Sequence, residues 1–234
     1  VAWVVSGIVL ATSIGCSSSI GVASGTAGRP QTVEVAPVSL SNITSWHDAI
    51  TATVFWVGET ASSDNGGIAN AASAWDDYWA LHYGGIDDPQ HRRGYLPMFA
   101  PKENPFYVAL PLNDFDEDGG PIPAIASSVP WASAADGESV LKNQWVEIRH
   151  DGTSVFAQWE DVGPFLEDDR AYVLGGARPA NTHGVGAGID LSPAVRDYLG
   201  VGDVSVVEWR LVRDDAVPKG PWTDVRTTSP ISWR

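Results

Sequence analysis

The chain has a single cysteine, Cys16, and a single methionine among 234 residues. One thiol cannot close an intramolecular disulfide, so the fold must rest on its core rather than on covalent staples. Positive charge is scarce as well: 14 Lys and Arg stand against 29 Asp and Glu, a net charge of −15. Such a molecule repels phosphate backbones and anionic headgroups, which excludes nucleic acid as an expected partner. The apolar run VAWVVSGIVLATSIGC (1–16) is too short to cross a bilayer as a helix. His47, His82, His91, His150 and His183 show neither HExxH nor Cys/His spacing, so no zinc site is expected. P-loop, GxSxG and GxGxxG patterns are all missing, which leaves nucleotide-dependent chemistry and serine hydrolysis without a motif.

What is present is ordinary in bulk and unusual in its aromatics. A chain that is 44% hydrophobic and 18% charged suits one globular domain with a real core. Its eleven Trp are either core or flat faces of the kind that hold neutral sugar rings. Residues 1–16 resemble the apolar region and cleavage end of a secretory signal, and SIGC is a degenerate lipoprotein box in which Cys16 would be lipidated. Residues 17–45, small and turn-rich, read as a flexible linker, and the folded domain is expected over 46–234. These features predict a secreted or envelope-anchored bacterial lipoprotein, monomeric, touching membrane only through Cys16.

Strand signals dominate the folded part. TATVFWV (51–57), FYVALPL (106–112), QWVEIRH (144–150), SVFAQWE (154–160) and VSVVEWRLV (204–212) are β-branched and aromatic runs bounded by turn residues. HDGT (150–153) carries the Asp-Gly of a tight hairpin. Two helices are expected. One covers 70–81 (NAASAWDDYWAL), with Trp75 and Trp79 on one face as a core stripe or a sugar platform. The other starts at Ser192, a capping residue, with Pro193 at the first helical position. Mainly β structure with long excursions follows.

Two segments carry a resemblance. EDVGPF (160–165) and GIDLSPAVRDYLG (188–200) are similar to motifs of the rare lipoprotein A family, whose fold is shared by expansins and family forty-five endoglucanases. That resemblance implies a six-stranded double-psi β-barrel with long loop and short helix insertions, the largest around 58–140. It implies Asp190 as a general acid for glycosidic cleavage, and Asp161 as a second acid lining the groove. The chemistry is coherent, since bond cleavage needs a protonated carboxyl to hand a proton to the leaving oxygen. Each Asp also fits a plain structural role, capping the turn that follows it.

The resemblance breaks at one point. The base that inverting relatives carry directly after the first strand is replaced by Val57, leaving Glu59, Asp64, Asp76 and Asp77 as replacement carboxylates. Trp56, Glu59, Trp75, Asp77, Trp159 and His183 are the expected substrate contacts. Asp114, Asp116 and Asp118, in NDFDEDGG (113–120), start a calcium loop, but Ile125 stands where its bidentate Glu belongs. No cofactor is otherwise expected. The reading is a glycan-cleaving enzyme, a hydrolase or lytic transglycosylase acting on peptidoglycan or a cellulose-like glycan through Asp190, or else a non-catalytic polysaccharide-binding module.

Overall fold

The computed structural model describes residues 43–63 and 65–229. The expected signal segment, most of the linker, lipidation at Cys16 and the candidate Asp64 lie outside these residues. Six strands close into a barrel in the order β1 (His47–Val54), β7 (Ile189–Leu191), β4 (Tyr107–Leu110), β6 (Thr153–Val162), β5 (Trp145–His150) and β8 (Val204–Val212). Pairs β1/β7 and β4/β6 are parallel and the remaining four are antiparallel. This is the six-stranded double-psi β-barrel that the sequence motifs imply.

Short elements decorate it. Between β1 and β4 run α1 (Trp79–Tyr83) and a two-stranded sheet of β2 (Arg92–Arg93) and β3 (Leu96–Pro97). Between β4 and β5 lies α2 (Pro123–Ala126), and between β6 and β7 lies α3 (Arg170–Val173). Strand β4 therefore falls inside the region 58–140 and divides it into two excursions. Helix α4 (Pro193–Leu199) follows β7 directly. Ser192 caps it as expected, accepting a hydrogen bond from the Val195 N–H, and its hydroxyl also donates to the Pro105 carbonyl at 2.8 Å. One serine thus starts the helix and ties it to the approach of β4.

The β5–β6 hairpin turns at Asp151 and Gly152, which have φ of 46° and 81°. Positive φ at both central residues matches the two-residue turn that Asp-Gly favours. Strand β6 carries a bulge: Val108 faces Trp159, but the next residue, Ala109, faces Asp161. Glu160 is skipped, and the extra residue re-aims Asp161.

The main core fills the barrel with Ile50, Val108, Leu110, Val146, Ile148, Ile189, Leu191 and Trp209 among others. A second cluster of Phe55, Val57, Trp79, Tyr83, Tyr107 and Ala109 welds α1 onto the outside of the barrel. The Tyr107 hydroxyl accepts from the Val57 N–H at 3.0 Å and donates to the buried Asp87 at 2.9 Å. Arg92, whose side chain is buried, completes the Asp87 pair.

The expected helix over 70–81 is not formed. Residues 70–78 are turns, and the helix is confined to Trp79–Tyr83. The cause is competition for backbone donors. The Asn70 N–H goes to the Glu59 carbonyl, the Ala74 N–H to the Asp161 carboxylate and the Tyr78 N–H to the Asp76 carboxylate. Such acceptors draw chain out of helix.

The expected calcium loop is also not formed. Asp114 is buried and turned inward, accepting from the Ser139 hydroxyl at 2.8 Å and the Val140 N–H at 2.6 Å. Asp116 takes the N–H groups of Asp118 and Gly120 in its own turn. The three carboxylates do not converge, and among the described residues no group of three or more His, Cys, Asp or Glu is placed to hold a metal ion. No described helix is long and apolar enough to cross a membrane.

Candidate functional site

Register places the site. Thr53 on β1 lies beside Asp190 on β7, Asp190 beside Ala109 on β4, and Ala109 beside Asp161 on β6. Four adjacent strands therefore present the row Thr53, Asp190, Ala109, Asp161 at one level. At the usual strand spacing, the Cα atoms of the two acids stand roughly 9–10 Å apart across Ala109. All four residues line one cavity of about 460 Å³. That size is in the range of small-molecule and sugar sites, and the small Ala109 side chain leaves space between the acids.

Asp190 is partly exposed to this cavity. Its Oδ1 accepts the Thr53 hydroxyl in a short hydrogen bond, and its Oδ2 faces Gly163, 3.9 Å from where a Cβ would stand. Gly163 has φ of 151°, a conformation that a side chain there would strain. The turn after β6 thus passes close over the acid. Burial pushes the Asp190 carboxyl up to about 6, with the Thr53 hydroxyl opposing and the nearby Glu59 charge adding to the rise.

Asp161 is buried, and its Oδ1 accepts the N–H groups of Ala74 and Val162, each at 2.8 Å. Burial dominates here too and pushes its carboxyl up to about 7, against those two donors and with help from the Asp190 charge. Glu59, also buried, comes from the loop after β1 and lines the same cavity. Its carboxyl is raised by burial, while Asn65, Asn70 and the Trp56 backbone oppose the rise.

Trp56 is half-buried and lines the cavity. Trp75 and Trp159 do not: both are fully buried, packed edge to face at 5.8 Å, with indole N–H groups spent on Asn113 and on the Asp161 carbonyl. They are core, and neither indole face is open to a sugar. Asp77 is exposed and outside the cavity, and Asp76 is buried against His82 at 2.7 Å. His183 is exposed and reaches the site only through Phe165, whose ring lies 5.4 Å away.

Phe165, Thr53, Asn70 and Gln90 line the cavity as well, and sequence reasoning missed them. Phe165 has a detectable signal, since it closes the Gly-Pro-Phe turn of the EDVGPF motif. It is 41% exposed and holds a left-handed backbone with φ of 60°, a strained conformation for a bulky residue that fixes its ring at the cavity edge. Asn70 and Gln90 come from turns that carry no motif.

Neither a family model nor a curated protein matches the chain. Among solved structures it is similar to the Streptomyces papain inhibitor (SPI), with 12% identity and a TM-score of 0.30, over 73% of this chain and 97% of that one. The barrel topology itself carries the fold assignment. A fold alone does not name an activity, so function is left to the site.

Proposed function

We propose that this protein binds a β-1,4-linked polysaccharide in the cleft over Thr53, Asp190, Ala109 and Asp161. The observation that supports it is that row laid across four strands, polar at Thr53, Asp190 and Asp161 and open at Ala109, with Trp56 and Phe165 as the aromatic walls. Neutral sugars need hydrogen-bonding groups at their edges and flat apolar surface at their faces, and this cleft offers both.

A second reading, cleavage of the bound glycan, is favoured by one further observation. Asp190 and Asp161 are held up to about 6 and about 7, so both retain protons in mildly acidic solution. Asp190, with its Oδ2 free of the Thr53 bond, would act as general acid on the leaving oxygen. Asp161, fixed at Oδ1 by two N–H groups, would donate its proton as a hydrogen bond to a sugar hydroxyl. Peptidoglycan is the natural polymer for a chain tethered at Cys16 to a bacterial envelope, and a cellulose-like glucan is the alternative.

Product analysis by mass spectrometry tests both readings, using wild type and Asp190→Asn with peptidoglycan sacculi and with soluble β-1,4-glucan. Sugar release by wild type alone supports cleavage, with reducing ends marking hydrolysis and anhydro ends marking transglycosylation. Retention on the polymer without release leaves a binding module. The absence of both retention and release overturns the proposal.

A further inference from the structure

We propose that Glu59, held in place by Asn70, is the base that activates water opposite Asp190, so that the cleft hydrolyses its glycan with inversion at the anomeric carbon. This rests on the cleavage reading above. A base needs a carboxylate that reaches the cleft, sits off the strands that carry the acid, and is fixed in orientation. Glu59 meets all three conditions. It lines the cavity together with Asp190, and it comes from the loop after β1 rather than from the β7–β4–β6 floor. Its charge is felt at Asp190.

The orientation comes from a paired backbone and side chain. The Asn70 N–H donates to the Glu59 carbonyl at 2.9 Å, and the Gly58 N–H donates to the Asn70 carbonyl at 2.7 Å. Within that frame the Asn70 amide donates to Glu59 Oε2, also at 2.9 Å. Both side chains are buried, so the bond is shielded from competing water. Burial raises the Glu59 carboxyl, and the Asn70 amide, with Asn65 and the Trp56 backbone, opposes that rise by favouring the ionised form that a base requires. Among the described residues the other carboxylates are committed elsewhere. Asp161 lies on the same strand row as Asp190 and is clamped at Oδ1, Asp203, which also lines the cavity, is paired with Arg196 at 2.9 Å, Asp76 is paired with His82, and Asp77 lies outside the cavity.

The step balances. Glu59 takes one proton from a water whose oxygen attacks the anomeric carbon from the face opposite the leaving group. The glycosidic C–O bond breaks with its electron pair going to the leaving oxygen, which receives the Asp190 proton. The products are an inverted hemiacetal and a free hydroxyl, with Glu59 protonated and Asp190 ionised until both exchange with bulk water. Inverting pairs stand about 6.5–9.5 Å apart to admit that water, and Glu59 and Asp190 sit on the wall and floor of one cleft. Asn70 is a positioning residue that acts through Glu59.

The experiment follows hydrolysis of soluble β-1,4-glucan oligosaccharides and solubilised peptidoglycan strands by proton NMR, with wild type, Glu59→Gln, Glu59→Ala, Asn70→Ala and Asp190→Asn. Wild type is expected to release the α-anomer first. Glu59→Gln keeps the shape and the Asn70 bond, and it should lower kcat by a factor of about 10²–10⁴ with KM little changed. Azide should restore turnover to Glu59→Ala and yield the α-glycosyl azide, which a purely structural role could not produce. Asn70→Ala should move the acidic limb of the pH profile upward, because Glu59 loses a donor to its charged form. Loss of activity in Asp190→Asn with full activity in Glu59→Gln would keep cleavage and sink Glu59. A β-anomer or anhydro product from wild type would also overturn inversion through Glu59. Wild type inert on both probes would remove the cleavage reading itself, and the role of Glu59 with it.

Discussion

Trp56 and Trp159 stand in opposite relations to the cleft: Trp56 is half-buried in its wall, whereas Trp159 is fully buried in the core with its indole N–H on the Asp161 carbonyl. Their substitutions should therefore separate binding from stability. Trp159→Ala opens a large void beside Trp75 and should cost about 3–5 kcal/mol, read as a lower urea midpoint. Trp56→Ala should leave that midpoint nearly unchanged and weaken polysaccharide retention, measured by pull-down or calorimetry. Equal stability losses would mean that Trp56 is core after all. Asp190 makes a second prediction at this scale. On the cleavage reading its proton is the one handed to the leaving oxygen, and it leaves as pH rises through about 6, so kcat/KM should fall above that value in a pH–rate profile. A rate that climbs steadily from pH 5 to 8 would exclude Asp190 as the acid.

Helix α1 has only five residues, too few to hold together by its own hydrogen bonds in water. Tertiary packing holds it: Trp79 meets Tyr107 at 5.3 Å and Phe55 at 6.0 Å, and Tyr83 meets Tyr107 at 5.9 Å. Trp79→Ala should thus cost about 3–5 kcal/mol and, by loosening residues 70–78, release the Ala74 N–H from Asp161. The check is amide hydrogen exchange, with faster exchange expected across 70–83 while β5 and β8 stay protected. This element also shows what sequence could and could not reveal. Five strands were legible because β-branched and aromatic residues ran between turn residues, and α4 was legible because Ser192 and Pro193 are local signals. Strand β7 has three residues, too short for alternation, and was reachable only through the IDL of a known motif. The 70–81 helix was misread because the acceptors that unwind it, the Glu59 carbonyl and the Asp161 carboxylate, are distant in sequence or supplied by side chains. The same reason hid Asn70: its partner is visible only once the Trp56–Asn70 loop has closed.

Among the described residues, buried acids whose carboxyls are raised outnumber buried bases that are lowered, and this sets an unusual pH dependence of stability. Glu103 is buried with its Oε2 unpartnered, near Glu160, Lys142, Asp76 and His82. Burial first, then the Glu160 charge, pushes its carboxyl up to about 7 from 4.5. A folded carboxyl raised above its unfolded value adds stability that is full below about pH 4.5 and is lost as pH rises through 7, about 3 kcal/mol for this shift. Asp161, raised to about 7, acts in the same direction. His47 opposes them. Stacked on Trp209 at 4.1 Å, with Nε2 unpartnered, it is lowered by burial to about 4. Its neutral form therefore adds stability that is full above pH 6.5 and is lost as pH falls through 4, again about 3 kcal/mol. The net charge of −15 adds self-repulsion that eases as carboxylates protonate. Glu103 and Asp161, with Asp190 raised to about 6 in the same direction, plus that repulsion exceed one histidine, so Tm should be higher near pH 5.5 than at pH 8. Glu103→Gln should raise Tm at pH 8 by roughly 5–10 °C and flatten the slope, whereas His47→Phe should matter only below about pH 6. Scanning calorimetry of the three proteins from pH 4.5 to 8.5 decides it, and a wild-type Tm that rises steadily toward pH 8 would mean that Glu103 and Asp161 ionise at ordinary values in the folded chain.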